Sequence, residues 1–452
     1  MTQPLTAYPW PLTFGVEWEF GVAYLKDDTI PLPHLDDASK ILRFTTIDSD
    51  YEGKSVYEEK AEFFPHAIRS AIKRSIRNTI KEAGFLVGAI EKDPSEEAEV
   101  ALWEVLDDTS LNNLIPGPYD WTCIEVHSPA YYFTGGSLKA IIDVCRLLSQ
   151  TYGLSVNSSM ALHVHVGDSN NGFDTETPTN IVAFLWAFEP QLNSLHSEKR
   201  QDFQFAGSMR ESSPYSRGYF RNHGVRPHPL TGVLHFLNCK STMELIEQAN
   251  FNEPGQHNFK YSAYNFQGMA DHAMGIPKKA TIEFRQHRGT LSTEAAVNWI
   301  KTVVGIVDYI RKADNNTLLN LFRKVEHEKW EKLGDGEDAE REEKLGPILA
   351  ESTFTIIDLL SELGLHGPAA YYKDRWVKLP KKPRQPTPAE SEYTEEVIEK
   401  GSEEASEQVS EEVSETGTNT SQPQADKDAD SDLEKTKSEL DAENEKLDKE
   451  IA

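Results

Sequence analysis

Four short stretches of the sequence place two ionisable side chains two residues apart, with an apolar residue between them. They are Glu17-Trp18-Glu19, Glu125-Val126-His127, His163-Val164-His165 and Glu283-Phe284-Arg285. Side chains alternate between the two faces of a β-strand, so each pair would lie on one face. Burial of such groups is costly unless they are paired, hydrogen-bonded or bound to a metal ion. The four stretches together therefore predict one sheet face that holds divalent cations.

The stretch from Thr281 to Thr290 predicts the strand around which the other three are arranged. Its apolar residues would face a core, and Glu283, Arg285 and His287 would share the other face. The side chains of Glu283 and Arg285 would point the same way with poor geometry for a direct ion pair, which favours a ligand shared by both. Glutamate would then bind a cation and arginine an anion.

Any one of these pairs has an ordinary explanation. Two acids on a strand are usually a solvated face, and two histidines in an apolar strand are often satisfied by hydrogen bonds in the core. Four such strands in one chain are much harder to explain by chance. The prediction of a metal-binding sheet face therefore depends on all four pairs together.

Carboxylates with one or two imidazoles and an arginine suit the chemistry of metal-bound phosphate. Mg²⁺ and Mn²⁺ prefer oxygen ligands with an occasional imidazole. Arg285 would neutralise charge on a transferring γ-phosphoryl group. The sequence has no Walker A motif, kinase motif set or GxGxxG fingerprint. A nucleotide would therefore be bound through metals and arginines.

The composition narrows the class of partner. The 452 residues include 46 basic and 74 acidic ones, with a formal net charge of −28. Such a charge disfavours nucleic acid and membrane surfaces as partners. Three separated cysteines without a CxxC motif indicate a reducing compartment. The absence of a basic and apolar leader, and of any long apolar run, predicts a cytoplasmic protein.

The hydropathy pattern predicts an α+β domain over residues 1–377 and a disordered acidic tail over residues 378–452. Residues 389–452 hold 22 acidic and 6 basic residues and a single aromatic one, Tyr393, a composition that buries too little apolar surface to fold. Helices are predicted over 66–83, 137–152, 179–195, 241–249, 293–312, 318–330 and 352–363, and strands over 12–25, 85–90, 100–106, 121–127, 160–167 and 260–269. The segment 200–238 lacks periodicity and carries five arginines, which predicts a loop that faces an anion.

The four motifs, in this order and with these flanks, resemble the amidoligase family of glutamine-synthetase-like carboxylate–amine ligases. The quoted stretches are GVEWEF from Gly15, IEVHSP from Ile124, LHVHV from Leu162 and TIEFRQHRGTL from Thr281. The resemblance covers residues 12–312, followed by a helical extension over 313–377. It implies a curved, largely antiparallel sheet of the glutamine-synthetase-like catalytic fold, with helices packed outside.

The resemblance also implies an ATP- and Mg²⁺- or Mn²⁺-dependent ligase that joins a small-molecule or peptide carboxylate to an amine through an acyl phosphate. By analogy, the metal on the β- and γ-phosphates is bound by Glu17, His163 and Glu283, and the metal near the substrate carboxylate by Glu19 and Glu125. A further metal is supported by Asp108. The resemblance also implies that Arg285 stabilises the transferred phosphoryl group and that nucleotide or substrate is contacted by His165, His287 and Arg288. His127 departs from the pattern, because the family has an apolar residue there. It would add a ligand or lie at the edge of the groove.

Three alternatives stay open at this stage. The same fold would also suit phosphoryl transfer to a guanidino nitrogen, with ADP formed but no amide. A cupin-type oxygenase is disfavoured, because its glutamate is missing where Ser169 and Asn170 stand. A non-catalytic scaffold would bind no ATP in solution.

Overall fold

The computed structural model describes residues 11–25, 38–44, 60–88, 102–107, 111, 115, 119–169, 172–174, 176–196, 206–250, 262–276, 280–326 and 354–378. All of them belong to a compact unit that spans Met1–Pro380. Asp108 and the predicted tail beyond Lys378 lie outside the described residues, as do positions 89–90 and 100–101 of two predicted strands. The described part of the strand predicted over 100–106 contains the strand Glu104–Leu106, whereas the described part of 85–90 forms only a single bridge, between Val87 and Trp103. The predicted division between a catalytic domain and a tail stays a prediction.

The described strands form one sheet. They are β1 Thr13–Leu25, β2 Leu42–Arg43, β3 Glu104–Leu106, β4 Asp120–His127, β5 Tyr131–Tyr132, β6 Leu154–Ser155, β7 Ala161–Gly167, β8 Tyr264–Asn265 and β9 Thr281–Arg288. The order is β3-β4-β1-β7-β9-β8, and β2, β5 and β6 pair with β1. Every strand pair is antiparallel except β1 with β2. The predicted α+β class with a largely antiparallel sheet is confirmed.

Strand β1 lies at the centre of the sheet and carries the first acidic pair. Val16, Trp18 and Phe20 are buried on its apolar face. The indole Nε1 of Trp18 donates a hydrogen bond to the carbonyl oxygen of Thr290, 2.9 Å away. The apolar face therefore anchors the residue between the two glutamates and fixes the direction in which their carboxylates point.

The helices of the described residues cover the apolar side. They are α1 Lys60–Glu82, α2 Gly135–Thr151, α3 Thr177–Ala187, α4 Glu189–Asn193, α5 Met209–Ser212, α6 Pro214–His223, α7 Pro229–Leu237, α8 Thr242–Ala249, α9 Gln267–Ala273, α10 Thr293–Lys312, α11 Asn315–Phe322, α12 Ile356–Glu362 and α13 His366–Lys378, with 3₁₀ turns at Ala38–Lys40 and Arg323–Val325. Helix α10 packs against β7, α2, α3 and α13. The isoleucine repeat of α1, at positions 68, 72, 76 and 80, is fully buried as its four-residue spacing predicts.

Several predicted helices differ in their bounds, and two of these differences have a local explanation. The helix predicted over 179–195 is divided at Phe188 into α3 and α4. Pro190, in the first turn of α4, has no amide hydrogen to continue a helix. Helix α2 begins two residues earlier than predicted, and Thr134 rather than Ser137 caps it, since the Thr134 hydroxyl accepts from the Ser137 amide.

The predicted anion-facing loop over 200–238 is wrong in its described part. Residues 206–238 contain α5, α6 and α7. Arg210 is buried at 4% exposure, and its guanidinium donates to the carbonyl oxygens of Trp186 and Ala187 at 2.6 and 2.5 Å. Arg226 donates to the carbonyl oxygen of Glu211 at 2.7 Å. These two arginines bind the backbone, a use that local composition does not reveal.

Across the part of the chain that the structure describes, no helix combines the length and the apolar character needed to cross a membrane.

Candidate metal centre

The register of the sheet brings the four polar pairs onto one face. Glu17 of β1 lies opposite His127 on β4 and His163 on β7. In the next polar row, Glu19 lies opposite Glu125. On β9, Glu283 lies opposite His165 of β7. Directly opposed residues share a sheet face, so acids and imidazoles from β1, β4, β7 and β9 lie together on the same face.

Glu17 lies at the centre of this cluster. Its Oε1 atom is 2.8 Å from His165 Nε2, and its Oε2 atom is 3.0 Å from His163 Nδ1. Burial by itself would raise the pKa of Glu17. The charge of His165 and the hydrogen bonds with both histidines outweigh burial and hold this pKa well below its usual range. Glu17 is therefore an anion at neutral pH.

His163 lies between the carboxylates of Glu283 and Glu19. Its Nδ1 atom lies 3.3 Å from Glu283 Oε1, and its Nε2 atom lies 3.7 Å from Glu19 Oε1. The ring is almost fully buried. Glu19 is also buried, and its other oxygen accepts from the backbone amide of Ala161 at 2.6 Å. The β7 backbone thus holds this carboxylate in place.

His165 responds to the same negative charge. Burial lowers the pKa of His165, but the charges of Glu17 and Glu283 raise it to about 9. A histidine binds a metal through a deprotonated nitrogen. A cation at this position would therefore take the place of a proton and satisfy the same carboxylates.

Glu283 is held by two donors. Arg285 Nη1 and the buried Asn265 Nδ2 both donate to its carboxylate. The expectation that Glu283 and Arg285 would not meet well is wrong, since the arginine bends back along its own strand to form an ion pair. The motif patterns did not reveal Asn265, because it lies on β8, and only the pairing of Asn265 with Glu283 brings the two together.

The prediction that His287 shares a face with Glu283 is wrong. The β7–β9 register shifts between Leu162 and Val164, so that His287 pairs with Leu162 on the apolar side. Its ring centroid lies 5.8 Å from that of Trp299 in α10. A β-bulge inserts one extra residue and breaks the alternation of side chains. Arg288, opposite Ala161, is exposed at the end of the strand.

Three groups of side chains have ligand atoms within 4.8 Å of one another: Glu17 with His165 and Glu283, Glu19 with Glu125 and His163, and Glu17 with Glu125 and His127. Carboxylate oxygens with one imidazole nitrogen fit Mg²⁺ or Mn²⁺. The structure thus brings together every described residue of the predicted metal set. His163 belongs to the group with Glu19 and Glu125, and its Nδ1 atom also lies 3.0 Å from Glu17 and 3.3 Å from Glu283, the two residues with which it was predicted to bind a metal. The individual metal assignments stay predictions.

An antiparallel sheet with ionisable pairs on one face and helices on the other defines an α+β protein with a candidate metal centre. A family model described as "Putative amidoligase enzyme" matches residues 11–307, about two thirds of the chain. The chain belongs to this amidoligase family, which confirms the resemblance seen in its motifs and indicates an enzyme with ligase activity. No curated protein matches the chain.

Proposed function

We propose that the protein is an ATP- and Mg²⁺- or Mn²⁺-dependent carbon–nitrogen ligase that joins a carboxylate to an amine through an acyl phosphate. The observation that carries the proposal is the excess of negative charge on the polar sheet face. Four carboxylates, Glu17, Glu19, Glu125 and Glu283, face one another there with Arg285 as their arginine partner. A site built to bind polyphosphate by itself would have the opposite charge, so cations must come between the protein and the nucleotide.

Two sets of ligands would hold these cations. Glu17, Glu283 and His165 form the set next to Arg285, on the side where the phosphates would lie. The second set is Glu19 and Glu125 with His163. When bound, divalent cations would supply charge neutralisation for the phosphates and for the substrate carboxylate.

Arg285 would stabilise the phosphoryl group as it moves from ATP to the carboxylate. Its side chain is 18% exposed, and Glu283 holds one guanidinium nitrogen. An arginine has five N–H donors in a planar fork, a geometry that suits paired contacts with phosphoryl oxygens. Positioned donors of this kind act where charge develops in the transition state. The amine would then attack the acyl carbon and release phosphate.

The decisive experiment measures ADP released from ATP, with Mg²⁺ or Mn²⁺, across a panel of amino acids, peptides and amines. Glu283→Ala removes a ligand of the first set, and Glu211→Gln, an exposed acid on α5, is the matched control. We expect ADP release that depends on both substrates, persists in Glu211→Gln and is lost in Glu283→Ala. Mass analysis of the product then identifies an amide.

Other results would replace the proposal. A phosphorylated nitrogen product with no amide would favour the guanidino-kinase-like reaction. Absence of ATP binding in the presence of either metal would favour a non-catalytic scaffold. Unchanged nucleotide affinity in Glu283→Ala would contradict the role of Glu283 as a metal ligand.

A further inference from the structure

His127 forms a third group of potential ligands that neither set above uses. Its Nε2 atom lies 3.1 Å from Glu125 Oε2 and 3.8 Å from Glu17 Oε1. This nitrogen is buried, yet it makes no well-directed hydrogen bond in the structure. The atom therefore lies close to two carboxylate oxygens without the geometry of a hydrogen bond.

We infer that His127, Glu17 and Glu125 form a third cation site, and that the imidazole makes this site prefer Mn²⁺ over Mg²⁺. Mn²⁺ accepts nitrogen ligands readily, whereas Mg²⁺ strongly prefers oxygen. The inference rests on the proposed function only in that both place cations on this sheet face.

The position of the third site follows from shared carboxylates. Glu17 belongs to this group and to the group with His165, while Glu125 belongs to this group and to the group with His163. The third cation would thus share one carboxylate with each neighbour. Sharing leaves each cation with less negative charge of its own. His127 is the nitrogen ligand of the third group alone, as His165 and His163 are in the other two groups, and a nitrogen ligand favours Mn²⁺.

A structural ion pair is the competing explanation for His127. Burial lowers the pKa of His127, but the close carboxylate of Glu125 and the charge of Glu17 raise it above its usual value. In that case His127 would stabilise the fold as a cation and would repel a metal. The two explanations make opposite predictions for metal affinity, because loss of a positive charge would strengthen cation binding.

The test is a Mn²⁺ titration of the full chain in which electron paramagnetic resonance measures the free ion. Mg²⁺ serves as competitor, and no nucleotide is present. The variants are His127→Gln, whose amide oxygen can still bind Mg²⁺, and His366→Gln, an exposed histidine of α13. We expect His127→Gln to weaken one class of Mn²⁺ sites by at least about 10-fold, since even outer hydrogen-bond partners of metal ligands typically contribute 10–100-fold. Affinity for Mg²⁺ should change by less than about threefold.

Pulsed paramagnetic resonance adds a second readout, because an imidazole nitrogen bound to Mn²⁺ gives a nitrogen coupling. This coupling should weaken in His127→Gln and stay as in the wild type in His366→Gln. Unchanged or stronger Mn²⁺ binding in His127→Gln would overturn the inference, and so would equal losses for Mn²⁺ and Mg²⁺. No nucleotide is used, so absence of ADP formation would sink the proposed function and leave this result standing.

Discussion

Replacement of Glu17 by glutamine removes one charge from the centre of the candidate site and keeps the shape of the side chain. Its two oxygens contact His165 and His163 at 2.8 and 3.0 Å, and it belongs to two of the three ligand groups. We expect the variant to lose most of the stabilisation that divalent cations give to the folded protein. Thermal unfolding with and without Mn²⁺ measures this loss directly.

The size of the effect follows from binding linkage. A cation at 100 times its dissociation constant stabilises the native state by about 2.7 kcal/mol. Loss of one charged ligand should weaken binding by at least about 100-fold. The gross attraction between a carboxylate and a divalent ion 4 Å apart is about 8 kcal/mol in a protein environment, well above the roughly 2.7 kcal/mol that this factor requires. The variant would then gain only about 0.4 kcal/mol from the same Mn²⁺ concentration.

The difference of about 2.3 kcal/mol translates into a melting temperature. Unfolding entropy is about 2.1 cal/mol/K per residue, or about 0.8 kcal/mol/K for a unit of 380 residues. The shift induced by Mn²⁺ should therefore be about 3 °C smaller in Glu17→Gln than in the wild type. The Glu211→Gln control should keep the full shift.

The metal-free proteins test separately whether the charge of Glu17 stabilises or destabilises the fold. The pKa of Glu17 is lowered by the fold, so its charged form stabilises the native state above the ordinary carboxylate pKa of about 4.3. In EDTA at pH 7, Glu17→Gln should melt below the wild type, and this deficit should shrink as the pH falls below about 4. An equal Mn²⁺ shift in wild type and variant would refute the reasoning about the metal ligand. A metal-free variant that is more stable at pH 7 would refute the electrostatic part.

Three further predictions concern catalysis, packing and thiol chemistry. Arg285→Lys should lower kcat by about 10²-fold with little change in KM, because the donors that face the transferred phosphoryl group act in the transition state; steady-state kinetics measure both constants. Gly232→Ala should destabilise the fold by about 1–3 kcal/mol, since a Cβ there would overlap the indole ring of Trp186; urea unfolding measures the loss. Burial and the charge of Glu244 raise the pKa of Cys239 to about 11, so iodoacetamide should alkylate it about 200-fold more slowly at pH 8 than an ordinary thiol, with rates that rise about tenfold per pH unit up to pH 10.

Each of these three predictions has an outcome that would contradict it. An Arg285→Lys enzyme with a raised KM and normal kcat would contradict a transition-state role. Gly218→Ala is the control for Gly232, because its Cβ would meet nothing within 4 Å, and it should leave stability equal or slightly higher. Equal losses in the two glycine variants would refute the packing argument. Fast alkylation of Cys239 in the native protein at pH 8 would contradict the raised pKa.

Local patterns in the sequence determined the elements of this protein and the type of chemistry it carries. The alternation of apolar and ionisable residues in β1 and β7 predicts which side chains face the core, and the isoleucine repeat of α1 predicts its buried face. These predictions succeed because strand and helix periodicity act over a few residues. The pairs around Glu17 and His163 also carried the resemblance to the family.

Only the tertiary structure decided how those residues meet. The register between β1, β4, β7 and β9 sets which carboxylate faces which imidazole, and a bulge turns His287 away from the site it was expected to share. The burial of Arg210 and the contact of Asn265 with Glu283 likewise depend on partners far along the chain. Strand pairing and the close approach of distant segments arise from packing over the whole unit, which is why the sequence by itself determined the ligand types, and the fold decided their grouping.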